Sequence, residues 1–278
     1  MSDRSTNAPA LERGLEILRL FTRSRSMISP PEIACELGIP RSTVHRLAFV
    51  LEQMGFLRRV EHSSAYSLGP AVLSIGLEYL SSLDIVQLSN PVLTRLRDET
   101  DCSTQLGVRN GTDVVYLSRH ARLAGVISNV SVGSVLPAHA TVMGRVMLAD
   151  LSRRERAQLY GTRKLRAYTE HTPTSLAALE KLLAEDRRRG CAISRGFFER
   201  GVTSVASGVR DQTGRAIAAI SVVTIDSIRD EFVRGTLKDS VIRAAAEISA
   251  MLGAPAEGRR VRLCGRTIDG RQIHGEAR

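Results

Sequence analysis

The chain has 278 residues, 43% of them hydrophobic and 24% charged, enough apolar material to bury a sizeable core and to exclude global disorder. With no tryptophan and 4% aromatics it is a poor candidate for stacking along single-stranded nucleic acid, and its net charge of +10 points toward a polyanionic partner. The cysteines at 35, 102, 191 and 264 form no CxxC pair and sit near no histidine at ligand spacing, which argues against a metal site or a disulfide framework and suits a reducing cytoplasm. No apolar run reaches transmembrane length and the first ten residues lack a signal core, so the expectation is a cytoplasmic protein without a membrane partner.

Residues 1–10 read as a flexible arm. Leu11, Leu15, Leu18 and Phe21, with Ile17 and Leu20, then form a helical stripe. Ser29-Pro30-Pro31-Glu32 reads as a helix start, with a capping serine, a proline at the first position and a glutamate closing an S-x-x-E box. That helix turns Ile33, Ala34 and Leu37 inward and stops at Gly38, where a left-handed turn costs least. After Pro40 a second helix is expected to bury Val44, Leu47, Val50, Leu51 and Met54, and to present Arg41, Ser42, Thr43, His45 and Arg46 on its other side. Phe56–Val60, a polar turn and Tyr66–Leu68 read as a hairpin, and residues 70–84 as a linker helix that also makes a dimer contact.

A further helix over Ile85–Glu99 opens the C-terminal half. The pattern then changes to alternating strands at Thr104–Val108, Asp113–Ser118 and Val126–Val130, with Asn110-Gly111 as a hairpin turn. Helical patterns at Thr141–Ala149, Ser152–Leu159 and Ser175–Arg189 precede strands at Ala192–Ser194, Ser204–Val209 and Ala216–Val223. Asp230–Leu252 reads as one closing helix. The stretch 254–278 holds six arginines against three acidic residues and reads as a disordered basic tail. The domains are therefore expected at 1–10 (arm), 11–69 (DNA-binding), 70–84 (linker helix), 85–253 (effector-binding) and 254–278 (tail).

Helix, turn, second helix and hairpin have the proportions of a winged helix-turn-helix. A reading helix must bury one face to be held rigidly and offer short hydrogen-bonding and cationic groups on the other. Arg41, Ser42, Thr43, His45 and Arg46 satisfy that at the N-terminal half, with Ser42 and Thr43 near free helix-start amides, and Arg58 and Arg59 in the wing are placed for flanking phosphate. Bulk charge does not carry the argument, because residues 1–68 hold nine arginines against seven acidic residues. A merely solvated polar face is the plainer alternative, and the pattern of the whole unit weighs against it.

At this point the sequence resembles the IclR family of bacterial regulators. LERGLEILRLF, PPEIACELGIPRSTVHRLAFVLEQMGFL and YSLGPAVLSIG are similar to its DNA-binding domain and linker. LPAHATVMGRVMLA and GVTSVASGVRDQTGRAIAAISV are similar to its effector domain. The likeness runs from about Leu11 to Leu252, and LPAHATVMGRVMLA preceded by NVSVG leans toward the branch that regulates aromatic-acid catabolism. The resemblance implies an α+β chain: an N-terminal winged helix-turn-helix joined by a linker helix to a GAF-like α/β effector domain with an antiparallel sheet. It implies homodimers, often paired into tetramers, on palindromic double-stranded operators, and a small organic acid as effector. Carried over residue by residue, it places effector contacts at Ser128, Thr141, Val142, Met143, Ser194, Ser204, Ser221 and Val223.

Such an acid needs a few hydroxyls and helix-start amides in an otherwise apolar pocket. Ser194 stands where the family often has an aspartate, and Arg195-Gly196-Phe197-Phe198 follows, so the pocket's charge and bulk differ from the family pattern. Arg195 reads as exposed and His139 as a partly buried residue at a helix entry. An enzyme is the main rival: Cys191 precedes a strand, yet His120, His139 and His171 lie in separate segments without an orienting acid, and no GxSxG, HExxH or P-loop is present. No catalytic residue, metal or cofactor is expected. A second rival, an architectural DNA binder without a ligand, would prefer operator over random duplex only weakly.

Overall fold

A computed structural model describes residues 8–22, 24–122, 130–225 and 230–255. The chain divides into two compact units, Met1–Asp84 and Ile85–Arg278.

In the first unit, α1 (Pro9–Arg19), α2 (Pro30–Leu37) and α3 (Arg41–Gln53) precede the hairpin β1 (Leu57–Arg59) and β2 (Tyr66–Leu68), and α4 (Ala71–Ser81) follows. Pro9 and Ala10, expected in the arm, already lie in α1. The α2 start is built as the sequence implies: the Glu32 carboxylate accepts from the Ser29 amide at 2.8 Å and the Ser29 hydroxyl at 2.5 Å, and Gly38 turns left-handed at φ 61°. Ile17, Phe21, Ile28, Ile33, Val44, Ala48, Leu57 and Tyr66 form the core. Ile28 bonds Tyr66 through both backbone groups, at 3.0 and 2.9 Å, and so ties the segment before α2 to the wing.

Two apolar assignments need correction. Val50 and Met54, expected inside, are 52% and 61% exposed, and Leu11 and Leu15 of the α1 stripe are 64% and 52% exposed. The α3 core stripe is Val44 and Ala48, with Leu47 and Leu51 packed partly against it. A helix apolar on more than one side leaves the phase of its buried stripe undetermined by period alone.

The second unit opens with α5 (Asp84–Thr100). Its strands are β3 (Ser103–Asn110), β4 (Asp113–His120), β5 (Val135–Pro137), β6 (Ala192–Arg195), β7 (Val202–Arg210) and β8 (Ala216–Ile225). They form one antiparallel sheet in the order β5-β4-β3-β8-β7-β6. The three-residue edge strand β5 was not foreseen, and residues 126–129 of the expected strand Val126–Val130 lie outside the described residues. The helices α6 (Val142–Asp150), α7 (Arg153–Tyr160) and α8 (Leu176–Arg189) each begin behind a hydroxyl that caps the first turn: Thr141, Ser152 and Ser175. The closing helix is not continuous. It runs as α9 (Asp230–Phe232), a π-turn (Val233–Leu237) and α10 (Lys238–Met251).

Strand alternation sorts the sheet into two faces. Leu106, Val205, Ile220 and Val222 are fully buried on one. Ala206 and Ala219 face the other way, in a core with Met143, Met147 and Leu148 of α6 and Leu179 and Leu183 of α8. The residues that line the cavity described below share the α6 face.

Candidate DNA interface and effector cavity

On α3, burial of Val44 and Ala48 forces the opposite side outward. Arg41, Ser42, His45 and Arg46 are exposed on it, as the sequence implies. Thr43 is half-buried at the side, and its amide already donates to the Pro40 carbonyl at 2.9 Å, so the free helix-start amide expected there is occupied. Two residues that sequence reasoning passed over extend the outward line: Ser42, Arg46, Phe49 and Gln53 recur at helical spacing and are all exposed, with Phe49 at 55%. The clue was present in that spacing, but Phe49 was absorbed into an apolar run.

The wing arginines differ. Arg58 is exposed and its Nε donates across the hairpin to the Ser67 hydroxyl at 3.0 Å. Arg59 is held against the end of α3, where its Nε reaches the Glu52 carboxylate at 3.2 Å and its guanidinium lies over the Tyr66 ring at 5.4 Å from the ring centre. That pairing leaves Arg59 less charge to offer a phosphate than Arg58.

The second unit contains a recess whose empty space, counted out through its open mouth, is about 490 Å³. Six of the eight expected effector residues line it: Thr141, Val142, Ser194, Ser204, Ser221 and Val223. Register explains the convergence. Ser194 pairs with Ser204 and Ser204 with Val223, forming one row across β6, β7 and β8; Ser221 pairs with Gln105 in the next row, where their side chains hydrogen-bond at 3.2 Å. Of the other two expected residues, Met143 is fully buried in the core and does not line the cavity, because the first turn of α6 points it at the sheet beside Gly107. Ser128 lies outside the described residues.

The α6 end of the cavity depends on Gly144. A Cβ there would stand 2.2 Å from the Ala138 backbone, so only glycine lets the first turn sit on the 3-10 turn Ala138–Ala140. Thr141 closes this turn by accepting from the Gly144 amide at 3.2 Å, and the first-turn amides of Val142 and Met143 have no intrahelical acceptor, as at any helix start.

The opposite wall is the loop between β6 and β7, with Phe197, Phe198 and Glu199. It is pinned from outside. Thr169 donates to the Gly196 carbonyl at 2.6 Å, Thr172 donates to the Phe197 carbonyl at 2.5 Å, and Phe198 packs on Tyr168 with ring centres 4.9 Å apart. Beneath Phe197 lies the guanidinium of Arg145, 4.9 Å from the ring centre. Arg145 is itself buried, paired with Asp186 through two bonds of 2.8 and 2.6 Å and donating to the Ile193 carbonyl at 3.2 Å. Sequence reasoning missed Gln105, Tyr116 and Glu199, and read Phe197 and Phe198 as a change in the pocket's bulk. Tyr116 is almost wholly buried, which pushes its phenol up, so it stays a neutral donor at physiological pH.

His139 is buried outside the lining, with Nε2 2.9 Å from the Arg166 carbonyl and its ring edge-on to Tyr160, so it packs a helix entry as expected. Burial pushes the Cys191 thiol up to about 11, which keeps it protonated and removes the thiolate that nucleophilic chemistry requires. No group of metal-ligating side chains is found among the described residues, and no single described helix is long and apolar enough to cross a membrane.

A winged helix-turn-helix followed by an α/β domain with a lined cavity defines the class: a transcription regulator with a separate effector domain. The chain belongs to the IclR family. Residues 10–61 match the IclR helix-turn-helix domain, and residues 77–250 match the bacterial transcriptional regulator IclR C-terminal domain. It is 32% identical over 251 residues to the HTH-type transcriptional regulator XynR of Escherichia coli, covering 89% of this chain and 98% of that protein. It is 30% identical to the Pca regulon regulatory protein of Pseudomonas putida, covering 77% of this chain and 74% of that protein. A crystal structure of an IclR homologue from Microbacterium hydrocarbonoxydans complexed with 4-hydroxybenzoate superposes with a TM-score of 0.76 at 26% identity, covering 87% and 98% of the two chains. Families and relatives alike are transcriptional regulators rather than enzymes. The aromatic-acid branch suggested by the motif wording is one of several the relatives represent.

Proposed function

We propose that the protein is a cytoplasmic, ligand-responsive regulator that reads a palindromic operator as a homodimer or a tetramer and senses a small organic acid, a metabolite of an aromatic pathway. The observation that carries the DNA reading is the outward line of α3, where Arg41, Ser42, His45 and Arg46 stand exposed on a helix anchored by Val44 and Ala48. Thr43 flanks that line, and Arg58 and Arg59 support the wing. Support for a dimer comes from apolar surface that water does not favour: Leu73, Ile75, Leu77 and Tyr79 of α4 are each more than half exposed. The DNA-binding part takes in 11–69, the linker helix 70–84 and the effector part 85–253.

For the effector, a carboxylate has the helix-start amide of Val142 and the hydroxyls of Ser194 and Ser204, beside Thr141 and Ser221, which donate to the Pro137 carbonyl and to Gln105, while Val142, Val223 and the aromatic side chains receive a ring. The relative complexed with 4-hydroxybenzoate makes an aromatic acid the first to test. The ligand acts through unequal affinity for the DNA-bound and free arrangements, and the linker helix is the covalent connection between the two parts.

The test is binding by full-length protein to duplexes it selects from a random pool. Arg46→Ala is expected to cost about 1–3 kcal/mol, roughly five- to 150-fold in affinity. Unchanged affinity and an unchanged footprint in both Arg46→Ala and Ser42→Ala remove α3 from the groove and end this reading.

A further inference from the structure

The cavity is unevenly charged. None of its lining residues is an arginine, lysine or histidine, and one, Glu199, is acidic. Cations on neighbouring elements are committed elsewhere. Arg145 is buried against Asp186, Arg200 pairs with Glu170 at 2.9 Å, and Arg166 lies over the Tyr168 ring. The segment 123–129, outside the described residues, contains no charged side chain. Glu199 is half-buried on the pinned β6–β7 loop and takes part in none of the hydrogen bonds or ion pairs found among the described residues.

We propose that the effector is a monocarboxylate bearing a hydroxyl or amino donor away from its acid group, and that Glu199 accepts a hydrogen bond from that donor. This deepens the effector reading above and rests on it. A carboxylate lacking a cation partner keeps its acceptor capacity for whatever enters the cavity. The ligand's own carboxylate belongs at the α6 start, where Val142 lines the cavity and its amide has no intrahelical acceptor. Tyr116 and, beside Glu199 on the loop, Phe197 and Phe198 add apolar faces suited to a flat ring or a short chain. Among the described lining residues a second carboxylate has no cation to meet, and Glu199 is the charge it stands beside. Two unit charges at contact lose between roughly fivefold in a water-like setting and a thousandfold in a protein-like one, so dicarboxylates are rejected.

The experiment measures ligand-induced shifts in melting temperature, followed by calorimetric Kd values, for the full-length protein and Glu199→Gln. The aromatic probes are benzoate, 4-hydroxybenzoate, 4-aminobenzoate and terephthalate; the aliphatic probes are hexanoate, 6-hydroxyhexanoate and adipate. In one set or both, the donor-bearing monoacids are expected to bind the native protein at least tenfold more tightly than the unsubstituted acid, and the diacid not to register. Glu199→Gln should erase that preference and admit the diacid, while its melting temperature without ligand stays at the native value. A Glu199→Ala variant that keeps the native melting temperature should behave alike, separating the charge from the amide's own bonding. A native protein that takes the diacid as tightly as the hydroxy acid, or a Glu199→Gln variant with the native preference, overturns the inference and leaves the cavity reading standing. If no acid in either set moves the melting temperature, the cavity reading itself falls and the inference falls with it.

Discussion

Replacing Arg145 by methionine isolates what the buried ion pair contributes. Arg145 and Asp186 each keep 2% of their side-chain surface exposed, joined by two hydrogen bonds, with a third from Arg145 to Ile193. Arg145→Met leaves the Asp186 carboxylate in the interior with only the Arg189 guanidinium, 3.8 Å away, as a cation, a loss of up to about 3–5 kcal/mol. For a domain of this size that lowers the melting temperature by roughly 10 °C. The deficit is expected to depend on pH. Burial already holds the Asp186 carboxyl above its ordinary value against the pull of Arg145, and without the cation it rises further. A folded-state value above the unfolded one means that the protonated carboxyl stabilises the fold below the ordinary carboxylate range, and that this stability is lost as pH rises through the folded value. The variant should therefore lie nearer to wild type at pH 5 than at pH 8. Arg145→Met/Asp186→Leu removes both charges and should recover most of the loss, because apolar replacement of a buried pair is often neutral or better. Thermal and urea melts of the full-length variants at several pH values provide the assay. A single variant within about 1 kcal/mol of wild type, or a double variant no better than the single, would refute the reasoning.

On the reading face, Phe49 stands among polar neighbours where a thymine methyl can meet it, a contact worth about 0.8 kcal/mol, roughly fourfold, per buried methyl. Replacing thymine by deoxyuridine in a selected duplex should weaken wild type by that factor and leave Phe49→Ala unaffected; equal losses in both proteins would show that the ring does not reach the groove. In the effector domain, His120 sits in a hydrogen-bonding group with Thr94, Ser118 and Asn90, and burial followed by the Arg97 charge lowers its pKa from 6.5. A lowered folded value means stability present above the ordinary histidine value and lost as pH falls through the folded one, so melting temperatures recorded from about pH 7.5 to 5 should fall less in His120→Asn than in wild type.

Local chemistry carried much of the fold into the sequence. The S-x-x-E box at Ser29–Glu32, the left-handed turn at Gly38 and the hydroxyls before α6, α7 and α8 each act within one helical turn, so each is readable from a few neighbouring letters. The serines on the sheet were placed by the family resemblance, and strand alternation accounts for their sharing one face. The places where reading stopped are those set by distant partners. Gln105 enters the cavity through pairing with Ser221, 116 residues away in the chain. Phe197 is aimed by Arg145 and by the turn at Thr169–Thr172, none of them adjacent in sequence. Val50 and Met54 look like core residues on an amphipathic helix, and their exposure depends on where α1 and the wing pack.

The same distant contacts explain how a small ligand could have a large effect in this domain. An effector that touches both Thr141 and the β6–β7 loop binds differently to arrangements that separate those walls by different amounts, and unequal affinity is the one way it can shift an equilibrium. That separation is set by Arg145, which projects from α6, grips Asp186 on α8, bonds the Ile193 carbonyl of β6 and supports the Phe197 ring. A flexible apolar residue at 145 would fill the space but leave the walls free to adjust to any ligand. The buried pair, costly to desolvate and directional in its bonds, limits the walls to few arrangements, and a site with few arrangements is one whose occupancy can be read elsewhere in the chain.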